Sequence, residues 1–362
     1  MDKSVIFAVA GSGKTRRLIS ELDLQKRVLL ITYTDNNEAE LRRRIIAKFG
    51  YFPENVAVTT YFTFLNSFAY RPLLQERLGT KGISFESPSA YSSSRPLSSR
   101  ARYVDNTARV YHARMAKVLD AMGCIRELQN RIERYFDQIC VDEVQDFGGH
   151  DFDLLIHLVS SNVGVLLVGD FYQHTYSTSF DGNVNAKLHD NYERYRSRFE
   201  KAGLSVDLTS LVASHRCSTT ACSFIREHVG IDIHPAVERV TEVLVIRDAT
   251  QAQALHASPT TVKLFYQEHE RYACYSQNWG ASKGLDQYND VCVVLNATTW
   301  KNFNTGGLGH ATAITRNKLY VALSRARGNL YVVPDTLFAK FKLPRSMRPP
   351  ASAENAVVSK SR

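Results

Sequence analysis

Several clusters in this chain have residue types and spacings suited to handling phosphate. Ala8-Val-Ala-Gly11-Ser12-Gly13-Lys14-Thr15 follows a short apolar run and precedes a segment of helical period. In that context a glycine turn offers backbone N–H groups to phosphate oxygens, an amine such as Lys14 reaches the β and γ oxygens, and a hydroxyl such as Thr15 ligates Mg²⁺. Ala8 stands where the usual pattern has its first Gly, and it is small enough to leave the loop intact. Ile139-Cys-Val-Asp142-Glu143-Val-Gln145-Asp146 closes another apolar run with adjacent carboxylates, 128 residues after Lys14. Asp142 suits holding Mg²⁺ through water, and Glu143 suits polarising an attacking water as general base. Val168-Gly-Asp-Phe-Tyr-Gln173 closes a third run with an amide suited to sensing a γ-phosphate. An acidic strand end or a Gln turn alone is more often solvated surface; the order and spacing make these a set.

Such groups need strand ends to hold them, and the chain supplies candidates. Val5–Val9, Arg27–Tyr33, Val56–Thr60, Gln138–Asp142 and Val163–Val168 read as buried strands, with helices over Lys14–Gln25, Asn37–Phe49 and Asp151–Ser160. A second set of strands is expected at Ser205–Leu208, Glu242–Ile246, Thr261–Tyr266, Asp290–Leu295 and Asn329–Val333. Short β-branched runs alternating with helical segments predict an α/β fold of two parallel sheets covered by helices. The expected division is a first domain over 1–182, a second over 183–335 and a basic tail over 336–362. Residues 70–135 read as a partly helical insertion in the first domain, with the Ser-rich stretch Ser87–Ser99 as a loop.

The 362 residues, 44% hydrophobic, suffice for two cores and exclude disorder of the whole chain. No apolar run approaches the ~20 residues of a membrane span, no signal-peptide core follows Met1, and six scattered cysteines form no C-x-x-C pair, so a cytoplasmic protein is expected. The net charge of +9 is concentrated. Residues Tyr91–Tyr135 hold nine Lys/Arg against four Asp/Glu, and Leu337–Arg362 hold six against one, on a nearly neutral remainder. Concentrated basic charge without an apolar face favours nucleic acid over a membrane as partner, against the alternative of a merely solvated surface.

Taken in order, the segments resemble the motifs of UvrD/Rep-like superfamily 1 helicases. They are Ala8–Thr15, Ile31–Ala39, Thr59–Phe64, Asp142–Asp146, Gly169–Tyr176, Ser214–Ser218, Lys283–Asp286 and Tyr320–Arg327. The resemblance covers about residues 5–333 and implies two RecA-like P-loop NTPase domains, with ATP between them and single-stranded nucleic acid crossing both. By motif, Gly11, Ser12, Gly13, Lys14, Thr15 and Asp142 would bind ATP and Mg²⁺, with Glu143 and Gln173 acting on the phosphates. Arg216 and Arg325 would be arginine fingers from the second domain. Thr32, Thr60, Thr63 and Lys283 lie in motifs that face the strand in this family, where short polar groups contact phosphate without reading sequence. The family's Trp-Arg pair after the Gln is replaced by Tyr176–Phe180, which leaves base stacking to Phe180, Phe62, Tyr61 or Phe64.

Two departures bear on function. Lys14 follows too soon after Met1 for the family's adenine-contacting glutamine segment, which puts adenine selectivity in doubt. Only 66 residues separate Arg216 from Lys283, where the full-size family inserts a helical subdomain, so the chain reads as a motor reduced nearly to its core. The leading expectation is an ATP-dependent single-strand translocase or helicase acting on DNA. The alternative is a DNA-stimulated ATPase that serves as sensor or regulatory subunit of a nuclease, as in bacterial anti-phage defence. A small-molecule P-loop kinase would leave Arg216, Lys283 and Arg325 without a role.

Overall fold

A computed structural model describes residues 2–175 and 181–344, which form two compact units. The first comprises Met1–Ala8 and Gly13–Leu211, and the second Val9–Ser12 and Val212–Arg362. Each is α/β around its own parallel sheet, as the alternation of runs predicts.

In the first unit the sheet strands are β1 (Lys3–Phe7), β2 (Val28–Thr32), β3 (Val56–Thr60), β6 (Gln138–Val141), β7 (Gly164–Gly169) and β8 (Ser205–Asp207). Strands β4 (Gly82–Ser84) and β5 (Arg109–Tyr111) form a separate parallel pair. The main sheet runs β3-β2-β6-β7-β1-β8, all parallel. Its inner strands are continuous apolar runs because helices cover both faces; β2 is buried at all five positions, whereas the edge strand β3 alternates buried and half-buried residues. Parallel order puts the C-terminal ends of β1, β2, β3, β6 and β7 on one edge. The described first-unit motif residues singled out from the sequence lie at or just after those ends.

The second unit carries β9 (Ala213–Ser214) paired with β10 (His234–Pro235), and a five-stranded parallel sheet in the order β11-β15-β14-β12-β13. Its members are β11 (Val243–Val245), β12 (Val262–Phe265), β13 (Ser276–Asn278), β14 (Val291–Leu295) and β15 (Leu330–Pro334).

The unit boundary falls after Leu211 instead of 182. Strand β8 pairs with β1 through Ser4↔Ser205 to Ile6↔Asp207, and Tyr192, Tyr195 and Phe199 of the helix Tyr192–Lys201 pack their rings on Phe7. Residues 183–211 therefore complete the first sheet, and Ser205–Asp207 is not a strand of the second.

The insertion is not a surface appendage. Tyr70, Leu74, Tyr103, Val110, Met115, Val118, Leu128 and Ile132 join the core that holds Val5, Phe7, Ile139 and Val141. The Ser-rich stretch contains the short helix Ala90–Ser94, capped by the Ser89 hydroxyl. Several of the segment's basic side chains serve this packing. Arg100 donates to Leu78 O at 2.5 Å and Arg102 to Ser93 O at 2.9 Å. Arg114, 1% exposed, donates through Nε to Asp181 Oδ1 at 2.8 Å and bonds Ser92 and Ser93, while Lys117 Nζ meets Asp181 Oδ2 at 2.7 Å. The rest of the basic tail, beyond Pro344, lies outside the described residues, as does Phe180.

Burial pushes the Asp181 carboxyl up, yet the bonds from Arg114 and Lys117 outweigh it and hold the group below its ordinary value. The linkage is that of a depressed acid: its stabilisation is present above the unfolded pKa and lost as pH falls through the folded one. Arg114→Leu is expected to cost roughly 1–3 kcal/mol in urea unfolding at about pH 7, because it takes one of two cations from a buried carboxylate and leaves only Lys117 beside it. The cost should shrink toward about pH 3, where Asp181 takes up a proton. An equal cost at both values would mean that Arg114 acts by packing alone.

Candidate nucleotide site and strand-facing residues

The loop after β1 takes its shape from two glycines. Gly11 (φ 72°) and Gly13 (φ 93°) occupy the left-handed region, which other residues enter at a cost. Ala8 N–H bonds Gly169 O at 2.8 Å, so the loop leaves the sheet in register with β7. The first turn of the helix Lys14–Ser20 follows, with Lys14 itself buried. In the second unit's share of the loop, Ala10 N–H donates to the Tyr320 hydroxyl at 2.8 Å and His215 N–H to Gly11 O at 2.9 Å. A Cβ on Gly11 would lie 2.7 Å from Arg216 Cβ and 2.8 Å from Ser214 Oγ, so closeness as well as φ demands glycine there.

Strand β6 delivers Asp142 to the same place. Thr15 Oγ1 donates to Asp142 Oδ2 at 3.3 Å although β7 lies between β6 and β1. Burial and the neighbouring Glu143 push the Asp142 carboxyl up to about 7, against the opposing charge of Lys14. A buried carboxylate beside a hydroxyl and a second acid fits a hard divalent cation. Among the described residues no group of three His, Cys, Asp or Glu could hold a metal. A cation bound here would thus take its other ligands from water and phosphate, the usual habit of Mg²⁺.

Glu143 sits at φ 57°, ψ 45°, a left-handed conformation unusual for Glu and a kind of strain that gathers at working sites. Two bonds fix the local arrangement. Glu143 N–H donates to Asp142 Oδ1 at 2.9 Å, and Gln145 Nε2 donates to Glu143 Oε2. Gln145, wholly buried, also accepts Asp170 N–H on its Oε1 at 3.0 Å. Asp170 in turn accepts Gln173 Nε2 at 2.8 Å and Tyr172 N–H at 3.2 Å. A chain of bonds thus runs Glu143–Gln145–Asp170–Gln173 across the ends of β6 and β7. Gly169 leaves it no slack, since a Cβ there would fall 2.4 Å from Gln145 Oε1. Gln145 and Asp170 were not picked as site residues from sequence; a buriable amide two residues after an acid pair was the available signal.

The residues that the motif resemblance assigns to a strand are placed unequally. Thr32 and Thr60 are register partners at the ends of β2 and β3, and both are buried. Thr60 Oγ1 caps the helical turn that follows, accepting Thr63 N–H at 3.2 Å and donating to Thr63 Oγ1 at 3.0 Å. The Thr32 hydroxyl finds no hydrogen-bond partner among the described residues. Thr63 is exposed and Phe62 half-buried. Tyr61 and Phe64 belong to the core, which removes them as stacking surfaces.

In the second unit the two arginines meet on one acid. Arg216 Nη2 lies 2.5 Å and Arg325 Nη1 3.4 Å from Asp286 Oδ1, while Arg325 Nε donates to Val321 O at 3.1 Å. Arg325 is almost fully buried. Asp286 ends the Lys283–Asp286 segment, so both ion pairs stay within the motif set. Lys283 is half-exposed at the end of the short turn Gly280–Ser282.

The family model described as viral superfamily 1 RNA helicase core domain matches residues 94–333, about two thirds of the chain. The chain belongs to this family. The match takes in Asp142, Glu143, Gln173, Arg216, Lys283 and Arg325 and leaves the 8–15 loop outside. It agrees with the motif reading at the rank of superfamily 1 but does not carry the UvrD/Rep branch. Similar solved structures include an arterivirus nonstructural protein 10 (helicase) in complex with DNA, at 15% identity and TM-score 0.48, covering 94% of this chain and 63% of that one. The PRRSV helicase matches at 14% and 0.46, covering 96% and 55%, and a second arterivirus nonstructural protein 10 structure at 15% and 0.47, covering 94% and 62%. The chain spans 55 to 63% of the length of these proteins. No curated protein matches. Among the described residues, no helix is long and apolar enough to cross a membrane.

The raised Asp142 carboxyl gives a pH signature. A folded acid that keeps its proton longer than the unfolded one stabilises the fold below the ordinary Asp range, and that stability is lost as pH rises toward about 7. Asp142→Asn is therefore expected to raise the Tm of the metal-free protein at about pH 8 and to leave it unchanged near pH 4. Mg²⁺ affinity by calorimetry should climb from about pH 6 to about pH 8 in the wild type, since the ion selects the carboxylate. Flat profiles in both measurements would remove Asp142 as a titrating ligand.

Proposed function

We propose that the chain is an ATP-hydrolysing motor that moves along single-stranded nucleic acid, with Mg²⁺ as its metal. The observation that carries this reading is Thr15 Oγ1 at 3.3 Å from the buried Asp142 carboxylate, with Glu143 one residue on and held by Gln145. Mg²⁺ would be held by Thr15 and Asp142 and would neutralise charge on the phosphates. Lys14 binds the β and γ oxygens. Glu143 takes the proton of the attacking water, and its fixed rotamer keeps the carboxylate where that water stands. Gln173, tethered by Asp170, responds to the γ-phosphate.

Phosphoryl transfer builds charge on the transferred oxygens, which cationic groups stabilise. Arg216 and Arg325 supply two such groups, and Asp286 is their counter-ion until phosphate replaces it. Thr63 and Lys283 are the strand-facing groups with exposed or half-exposed side chains. The expectation of DNA came with the UvrD/Rep resemblance. Membership of a family described by its RNA helicases brings RNA forward as the polymer, and the assay takes both. A helicase-core match gives no support to the nuclease-subunit alternative.

ATP hydrolysis should rise with single-stranded RNA or DNA and rise less with blunt duplex, which offers no loading strand. Glu143→Gln is expected to bind and retain ATP without turnover, whereas Lys14→Ala should bind it poorly. Arg325→Ala and Arg216→Ala should keep nucleotide binding and lose about 10³-fold or more in turnover, the usual scale for an arginine finger. Wild-type turnover by Glu143→Gln would refute the base assignment, and hydrolysis indifferent to every polymer would refute the motor.

A further inference from the structure

We propose that Phe85, His112 and Phe62 form a stacking platform for an unpaired nucleobase. The inference rests on the nucleic-acid reading above and adds to it a binding site whose two outer rings lie in the insertion. Strands β4 and β5 pair in parallel from Gly82↔Arg109 to Ser84↔Tyr111, so the next residue of each, Phe85 and His112, emerge together at one end. Their rings stack with centroids 5.3 Å apart and planes 30° apart. Phe62, two residues past the end of β3, closes the cluster at 5.8 Å from Phe85 and 5.1 Å from His112.

The exposure of these rings differs in a telling way. Phe62 and His112 are half-buried, while Phe85 is 73% exposed. A ring needed only for packing would be covered; this one is braced from behind and open in front. Burial lowers the His112 pKa, so near pH 7 the imidazole is neutral and adds flat aromatic surface to the platform instead of a charge.

A nucleobase suits such a surface, because every base offers a π-face and stacking of this kind tolerates any sequence. Exposed cations stand at the far end of the same strand pair, where Lys81 precedes β4 and Arg109 opens β5, roughly 10 Å away for strands of three residues. Thr63, next to Phe62, is exposed and carries a hydroxyl. Rings for bases with cations and a hydroxyl for phosphates point to one occupant, a single strand with its bases splayed out.

The test is fluorescence anisotropy of the full chain with labelled oligodeoxythymidylate and with an abasic strand of equal length. Phe85→Ala should weaken binding to the base-bearing strand about 5- to 100-fold and leave the abasic strand unaffected, while Phe85→Trp should restore binding. Equal affinities of wild type and Phe85→Ala for the base-bearing strand, or equal losses on both strands, overturn the platform and leave the motor reading standing. No binding of any strand by the wild type overturns both. If Phe85→Ala instead dissolves a dimer with strand affinity unchanged, the rings face a second copy of the chain and the platform falls.

Discussion

One buried amide ties the ends of two strands into a single working edge. Gln145 donates to Glu143 and accepts from the Asp170 backbone, so the Glu143 carboxylate and the Asp170 turn that tethers Gln173 are set by the same side chain. A fully buried amide that lost either partner would leave a polar group unsatisfied, at about 1–3 kcal/mol. That cost holds the Glu143 carboxylate in place. The parallel sheet brings these strand ends to one side; Gln145 decides how their side chains are presented.

The second unit shows a complementary arrangement. Two guanidinium groups close to each other repel unless an anion lies between them, and Asp286 provides one. Its carboxylate is nearly half exposed, whereas Arg325 is buried. Solvent reaches the acid more readily than the cation, so the counter-ion is the replaceable member of the cluster.

The sheets were legible in the sequence because their inner strands are buried on both faces and therefore read as unbroken β-branched runs. Val56–Thr60 lies where the sequence predicts it, and the other predicted strands shift by one or two residues at their ends. Strand β13, Ser276–Asn278, was missed because it is a polar edge strand with no apolar signature. Strand β8 was seen but given to the wrong sheet, since pairing with β1 is a long-range choice that local pattern does not encode. The phosphate loop and acid pair were visible because their chemistry is written in contiguous residues. The Gln145 bridge, the shared Asp286 and the ring cluster were not, because each joins residues that are far apart in the chain or that gain meaning only with a particular rotamer. The basic charge of the insertion points from sequence to a nucleic-acid partner, yet Arg114 and Lys117 converge on Asp181, 64 residues or more away.

The tight approach of Gly169 to Gln145 has a consequence for how this sequence can vary. With glutamine at 145 no side chain fits at 169, and with any side chain at 169 the amide must leave its place. Shortening Gln145 would not free position 169, since a Cβ there would still fall 2.7 Å from Val144 Cγ1 and 3.2 Å from Val144 N, so the glycine answers to two neighbours at once. Conservation of that glycine would arise from the space taken by Val144 and Gln145, with no contribution from its own backbone freedom, because its φ is not in the left-handed region.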